Sequence, residues 1–259
     1  MNEKVKCKLC GEYYYNEDMS EEHYPARSVG NEDIVAFNFS EYLSVLSTGE
    51  LNNLVINEIR NGKNANDILG DIFDTKLSKS IYPKGRTAKT LCRECNSFLG
   101  KYDEAYLKFF TFDGDSKIIN GFTIFTKYQI IKSIFGKFLS LSETSEEEFD
   151  FIDFVRNESN FAYSGKWKLY FIKRDISSDL MGFKDLSTGK LTFDEGVVYE
   201  FSDDKFIFNL MNFEKHSCYP MSNILDILSK NYNIIEGVGS DGGYHFQILF
   251  GKMFENIEL

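Results

Sequence analysis

Two Cys-x-x-Cys pairs, Cys7-Lys8-Leu9-Cys10 and Cys92-Arg93-Glu94-Cys95, constrain this chain more than any other feature. Together they supply four thiolates, the number a closed tetrahedral zinc site needs. The pairs stand about 80 residues apart, so a metal shared between them closes a long loop and contributes directly to folding. Such a site keeps no open coordination position, so its zinc is expected to be structural. Between the pairs lies Ser20-Glu21-Glu22-His23-Tyr24-Pro25, and Asn96 follows the last cysteine. Structural zinc explains none of Glu22, His23 and Asn96.

Composition limits the setting. The 259 residues are 42% hydrophobic and 16% aromatic, a globular rather than a disordered balance. No apolar run reaches the roughly 18 residues of a membrane span. The segment Met1-Asn2-Glu3-Lys4 has no apolar core of a signal peptide. A cytoplasmic protein is therefore expected, in which paired cysteines favour metal over disulfides. Cys218 is the odd fifth cysteine.

A formal net charge of -11 argues against a chain that coats nucleic acid by bulk electrostatics. The cations are unevenly placed, however. From Thr75 to Arg93 there are Lys76, Lys79, Lys84, Arg86, Lys89 and Arg93, with no acid among them. Such a run is ordinarily a solvated face. Here it leads into the second cysteine pair, and Lys84, Arg86, Lys89 and Arg93 become candidates for phosphate contact.

Periodicity predicts an α+β chain. Glu12-Tyr13-Tyr14-Tyr15 has strand propensity, and Pro25 discourages helix at Tyr24, leaving His23 in extended backbone. Residues 31 to 74 read as a polar insertion of three short helices. Phe98, Leu99, Tyr102, Tyr106 and Phe109 share one helix face, with Gly100 tolerated for a close packing contact. Asn96 falls near that helix's N-terminus, where anions are favoured. Strand, strand and helix pinned by zinc is thus the layout expected within residues 1 to 112.

Residues 113 to 259 read as a second, mixed α/β domain. A helix is expected over 127 to 141, another starting at Ser145, and strands over 166 to 172, 197 to 201, 205 to 210 and 244 to 250. Gly237-x-Gly239-x-x-Gly242 matches the dinucleotide fingerprint but precedes a strand-like run, so a hairpin turn is expected. His216, Cys218 and His245 are expected to pack rather than ligate.

The pieces Cys-x-x-Cys, Glu22-His23-Tyr24-Pro25 and Cys92-x-x-Cys95-Asn96-x-x-x-Gly100-x-x-Asp103 resemble the four-cysteine branch of the HNH nucleases, the ββα-metal finger. The resemblance covers about 50 residues, split by the insertion. The proline comes one residue earlier than in the family's Glu-His-x-x-Pro. The family's middle asparagine is missing between Asn66 and Asn96, and Thr87, Lys89 or Thr90 is expected to replace it.

The resemblance implies a metal-dependent endonuclease acting on DNA, with RNA as an alternative substrate. His23 would be the general base, because an imidazole can take a proton from water near neutral pH. Glu22 and Asn96 would hold Mg²⁺ or Mn²⁺ against the phosphate, as oxygen ligands suit a hard cation. In a regular strand Glu21 shares the side of His23 and is the reserve ligand. Asp103 is expected to be structural. The C-terminal half would choose the target or bind a partner, including a second copy of the chain. The alternative is a zinc-stapled binding module for nucleic acid or protein that does not cut.

Overall fold

The structure is a computed structural model, and it describes residues 4–32, 34–174, 188–236, 243–245 and 247–248. The chain is α+β, with helices and antiparallel sheets around a four-cysteine cluster. Strand β1 (Lys4–Lys6) pairs with β2 (Tyr13–Tyr15), and the first cysteine pair occupies the turn between them. That turn closes where the Gly11 amide donates to the Cys7 carbonyl at 2.9 Å, with Gly11 at φ 82°, which favours glycine.

Strand β3 (Met19–His23) runs on towards the insertion, which is a closed excursion. It comprises β4 (Ile34–Phe37), α1 (Phe39–Ser47), α2 (Glu50–Arg60), α3 (Ala65–Ile72), a wide helical turn Phe73–Leu77 and β5 (Ser78–Tyr82). The three helices match the expectation. The β4–β5 ladder carries the excursion on to Tyr82, beyond the expected limit at residue 74. Ile68, Ile72 and Leu77 form its small core.

The chain then returns as β6 (Thr87–Cys92), antiparallel to β3 from Met19 opposite Cys92 to His23 opposite Thr87. Helix α4 (Arg93–Thr111) starts at once, with Cys92 as its N-cap. The expected order of strand, strand and helix is therefore present in the backbone.

Beyond residue 112 come α5 (Ser116–Asn120), α6 (Ile124–Lys137) and α7 (Ile152–Arg156). A five-stranded antiparallel sheet follows, in the order β11-β7-β10-β9-β8. Its members are β7 (Lys168–Lys173), β8 (Thr188–Phe193), β9 (Gly196–Ser202), β10 (Phe206–Met211) and β11 (Ser222–Asn223). Every residue of β10 is buried, which explains its nearly continuous apolar sequence.

One cluster of buried apolar residues draws on both sides of residue 112. Helix α4 lays Tyr106 and Phe109 directly on the sheet, with the Phe109 ring 4.9 Å from Phe206 and the Tyr106 ring 6.0 Å from Phe208. The Tyr102 hydroxyl donates to the Val155 carbonyl at 3.0 Å. Each such aromatic contact adds about 0.5–1.5 kcal/mol beyond area burial. An apolar helix face needs a partner, and here that partner is the C-terminal sheet.

Three local expectations are corrected. Gly100 is exposed and a Cβ there would meet nothing, whereas Gly136 on α6 is the close approach, where an added Cβ would lie 3.3 Å from Leu99 Cδ2. No helix starts at Ser145, because the acidic segment is drawn onto the sheet. Glu143 accepts from Thr188 Oγ1 at 2.8 Å and Glu147 from the Tyr199 hydroxyl at 2.8 Å. Part of the strand expected over 244 to 250 lies outside the described residues, but the Ile248 amide donates to the Tyr244 carbonyl at 3.1 Å, a helical spacing. The Gly237-to-Gly242 motif lies outside the described residues.

Candidate functional site

The four cysteines come from three elements: Cys7 and Cys10 from the β1–β2 turn, Cys92 from the end of β6, Cys95 from the first turn of α4. Their sulfurs lie within 4.8 Å of one another. Among the described residues no other group of three or more His, Cys, Asp or Glu is placed this way. The Cys7 amide donates to Glu12 O at 2.8 Å and the Lys8 amide to Thr90 O at 2.9 Å, which fixes the turn against β6. The Cys92 amide donates to Cys7 Sγ at 3.3 Å. Burial pushes the Cys7 thiol up, so a cation must displace protons to bind. The cluster could hold a metal such as zinc. Cys218 is exposed.

Strand alternation divides Glu22 from its neighbours. A register slip between Ser20 and Glu22 leaves Glu22 5% exposed and facing α6, with Glu21 exposed and His23 half-buried on the other side. Both Glu22 oxygens are engaged: Oε1 lies 3.0 Å from Lys137 Nζ, and Oε2 accepts from Ser140 Oγ at 2.7 Å. Lys137 also reaches Asp103 Oδ2 at 2.8 Å, and Asp103 Oδ1 accepts from Ser133 Oγ at 2.7 Å. One ammonium thus joins two carboxylates, and two hydroxyls complete the set. Burial alone would lower the Lys137 pKa, but Glu22 and Asp103 raise it, so the ammonium is charged.

Glu22 and Asn96 were expected to share a divalent metal. Asn96 donates through Nδ2 to Ser20 Oγ at 2.7 Å, while the two Glu22 oxygens are engaged by Lys137 and Ser140. The residues present do not fit Mg²⁺ or Mn²⁺ at Glu22, because the Lys137 ammonium already stands in the cation's place 3.0 Å from Oε1. Asp103 has the structural setting expected of it. The Thr87 hydroxyl donates to Glu21 Oε1 at 3.0 Å, on the face that His23 shares.

His23 ends β3 at the protein surface. Its Nε2 accepts from Arg27 Nε at 2.9 Å, which requires a neutral imidazole with the proton on Nδ1. The Lys84 carbonyl is 3.3 Å from the same nitrogen, but it has its own donor in Arg27 Nη2 at 3.4 Å. An imidazole, a guanidinium and the backbone carbonyl of exposed Lys84 therefore meet at one surface point.

The basic run splits. Lys84, Lys89 and Arg93 are exposed, and Arg93 Nη2 donates to Glu17 O at 3.1 Å. Arg86, expected to contact phosphate, is 7% exposed. Its guanidinium lies over the Tyr82 ring at 5.3 Å and donates to Thr188 Oγ1 at 3.5 Å. It is committed to joining the start of β6 to β8.

Sequence reasoning missed Arg27, Asn31 and Lys137. Lys137 had a signal, since a lysine inside Ile134-Phe135-Gly136-Lys137-Phe138-Leu139 needs a buried counter-charge. Its partner Glu22, far away in sequence, had none. Elsewhere, His216 lies 3.9 Å from Glu195, and His245 Nδ1 lies 2.7 Å from buried Glu200, to which Asn209 Nδ2 also donates at 3.0 Å. Compared with protein-family models, curated proteins and solved structures, the chain matches none.

Proposed function

We propose that β3, β6 and α4, stapled by zinc at the four cysteines, form an HNH-like ββα finger that hydrolyses nucleic-acid phosphodiesters, with duplex DNA as substrate. The observation that carries this reading is the place of His23 at the surface, with its Nε2 2.9 Å from Arg27 Nε. In the reaction Arg27 turns its N–H groups to non-bridging phosphate oxygens, which releases Nε2 to a water. His23 takes the water's proton as the oxygen attacks phosphorus. The P–O bond to the leaving sugar breaks, and that oxygen takes a proton from solvent. Zinc holds the strands and helix in place and takes no part in these steps. Lys84, Lys89 and Arg93 hold the backbone on either side.

Nicking of supercoiled plasmid by wild type, His23→Ala and Arg27→Ala tests this. Removal of the base should slow cleavage about 10²–10⁴-fold, with zinc content and fold unchanged. Equal rates for His23→Ala and wild type would overturn the reading.

A second reading is favoured by the engagement of both Glu22 oxygens by Lys137 and Ser140. Where the family resemblance puts a metal ligand, this chain has a closed network, as expected of a finger that binds nucleic acid or protein without cutting. Retained duplex binding with no cleavage of any nucleic acid would select it.

A further inference from the structure

The conflict between Glu22's expected role and its actual partners points to a specific replacement. We propose that the Lys137 ammonium is the resident cation of the Glu22–Asp103 carboxylate pair, and that this centre takes no divalent metal. The consequence for catalysis, cleavage at His23 with zinc as the sole metal, rests on the nuclease reading above. The cation assignment itself does not.

Three elements supply the centre: Glu22 from β3, Asp103 from α4, Lys137 from the end of α6. Lys137 Nζ stands 3.0 Å from one carboxylate and 2.8 Å from the other, ordinary distances for a charge-assisted hydrogen bond. Mg²⁺ requires oxygens at about 2.0–2.1 Å in octahedral array and several waters. The side chains of Lys137 and Glu22 are 8% and 5% exposed, whereas Asp103 is 31% exposed and with Lys137 lines a cavity of about 180 Å³, so a metal reaching the pair from the Asp103 side must take the ammonium's place. Entry of a metal would expel the ammonium and leave it buried beside a divalent charge. Ser140 and Ser133 each donate to the second oxygen of one carboxylate, so every oxygen of the pair has a protein partner. A lysine cannot polarise a phosphate from this depth. Its role is positional: it fixes the β3 strand that ends in His23 against α4.

The test uses the zinc-loaded full chain. Bound Mn²⁺ is read by loss of the free-ion electron paramagnetic resonance signal in wild type, Glu22→Gln, Lys137→Met and the double variant. Wild type and Glu22→Gln should bind Mn²⁺ equally weakly, since an acidic surface alone contributes. Lys137→Met, confirmed as folded by its zinc content and circular dichroism, should gain one Mn²⁺ that is absent again in the double variant. One stoichiometric Mn²⁺ on wild type, absent in Glu22→Gln, overturns the proposal, as does the absence of any gain in folded Lys137→Met. If Lys137→Met does not fold, the comparison of wild type with Glu22→Gln still decides.

Plasmid nicking then separates the two readings. Cleavage in a chelator that leaves the zinc bound supports the proposal, and cleavage that needs Mn²⁺ and fails in Glu22→Gln overturns it. A wild type that cuts under neither condition overturns the nuclease reading, and the Mn²⁺ titration decides the cation assignment.

Discussion

The side chain of Asn31 bonds to the backbone of Arg86 in both directions. Its Nδ2 donates to the Arg86 carbonyl at 2.9 Å, and the Arg86 amide donates back to Oδ1 at 2.7 Å. Nδ2 also donates to the Pro25 carbonyl at 2.6 Å, so one fully buried amide ties the segment after His23 to the entrance of β6. The family resemblance sought an asparagine in or near the second strand. In this chain a linking asparagine comes from the segment after the first strand.

Asn31→Ala should therefore destabilise the fold. It leaves the Arg86 N–H and the Pro25 carbonyl without the Asn31 side chain, at about 1–3 kcal/mol for each unsatisfied group, while the Arg86 carbonyl keeps the Tyr24 amide at 3.2 Å. Gly85→Ala should do the same, because Gly85 has φ 80° and a Cβ would lie 2.2 Å from the Asn31 carbonyl oxygen. Urea unfolding measures both. A change within about 0.5 kcal/mol, as for an ordinary surface substitution, would show that this link is dispensable.

Metal analysis should find one zinc per chain, and Cys92→Ser should yield insoluble or unfolded protein. Cys92 stands where β6 passes into α4, and its side chain makes no cap hydrogen bond, so the loss acts through the emptied site. Soluble, folded protein with no zinc would contradict this.

The cations divide into two experimental classes. Replacing Lys84, Lys89 and Arg93 by Ala should weaken duplex binding for all sequences alike. It should also flatten the salt dependence by about 0.9 for each phosphate no longer neutralised. Arg86→Ala should instead lower stability, because a buried guanidinium leaves behind Thr188 and the Tyr82 ring. Its salt slope should match wild type. The opposite pattern would place Arg86 on nucleic acid.

Asp203 should give the protein a readable pH dependence. Burial pushes its carboxyl up to about 6, against hydrogen bonds from the Tyr106 hydroxyl and from the amides of Lys205 and Phe206. The unfolded chain ionises this group near pH 4, so between about pH 4 and 6 the folded state binds more protons. The group's contribution to stability is therefore full below about pH 4 and falls as pH rises through 6. A difference of about two pH units corresponds to about 3 kcal/mol. In urea unfolding, Asp203→Asn should gain on wild type by up to that amount between about pH 4 and 6.5. A difference that stays constant over this range would refute the assignment.

Much of this molecule was legible in the chain itself because the relevant signals are local. The i, i+3 spacing of Cys7 with Cys10 and of Cys92 with Cys95 marks the metal cluster. The periodicity of Leu99, Tyr102, Tyr106 and Phe109 marks α4, and Gly49 and Gly62 punctuate the insertion's helices. Alternation along β3 already indicated that Glu22 and His23 face opposite ways. What occupies each of those faces depends on elements far away in sequence, and only the tertiary structure decided it. Glu22 met Lys137 because α6 packs on α4 through Gly136, and Arg86 met Thr188 because β8 lies beside it. A side chain's type records that it needs a partner. Which partner it finds is set by the packing of the whole core, and that packing turned an expected metal ligand into an internal ion pair.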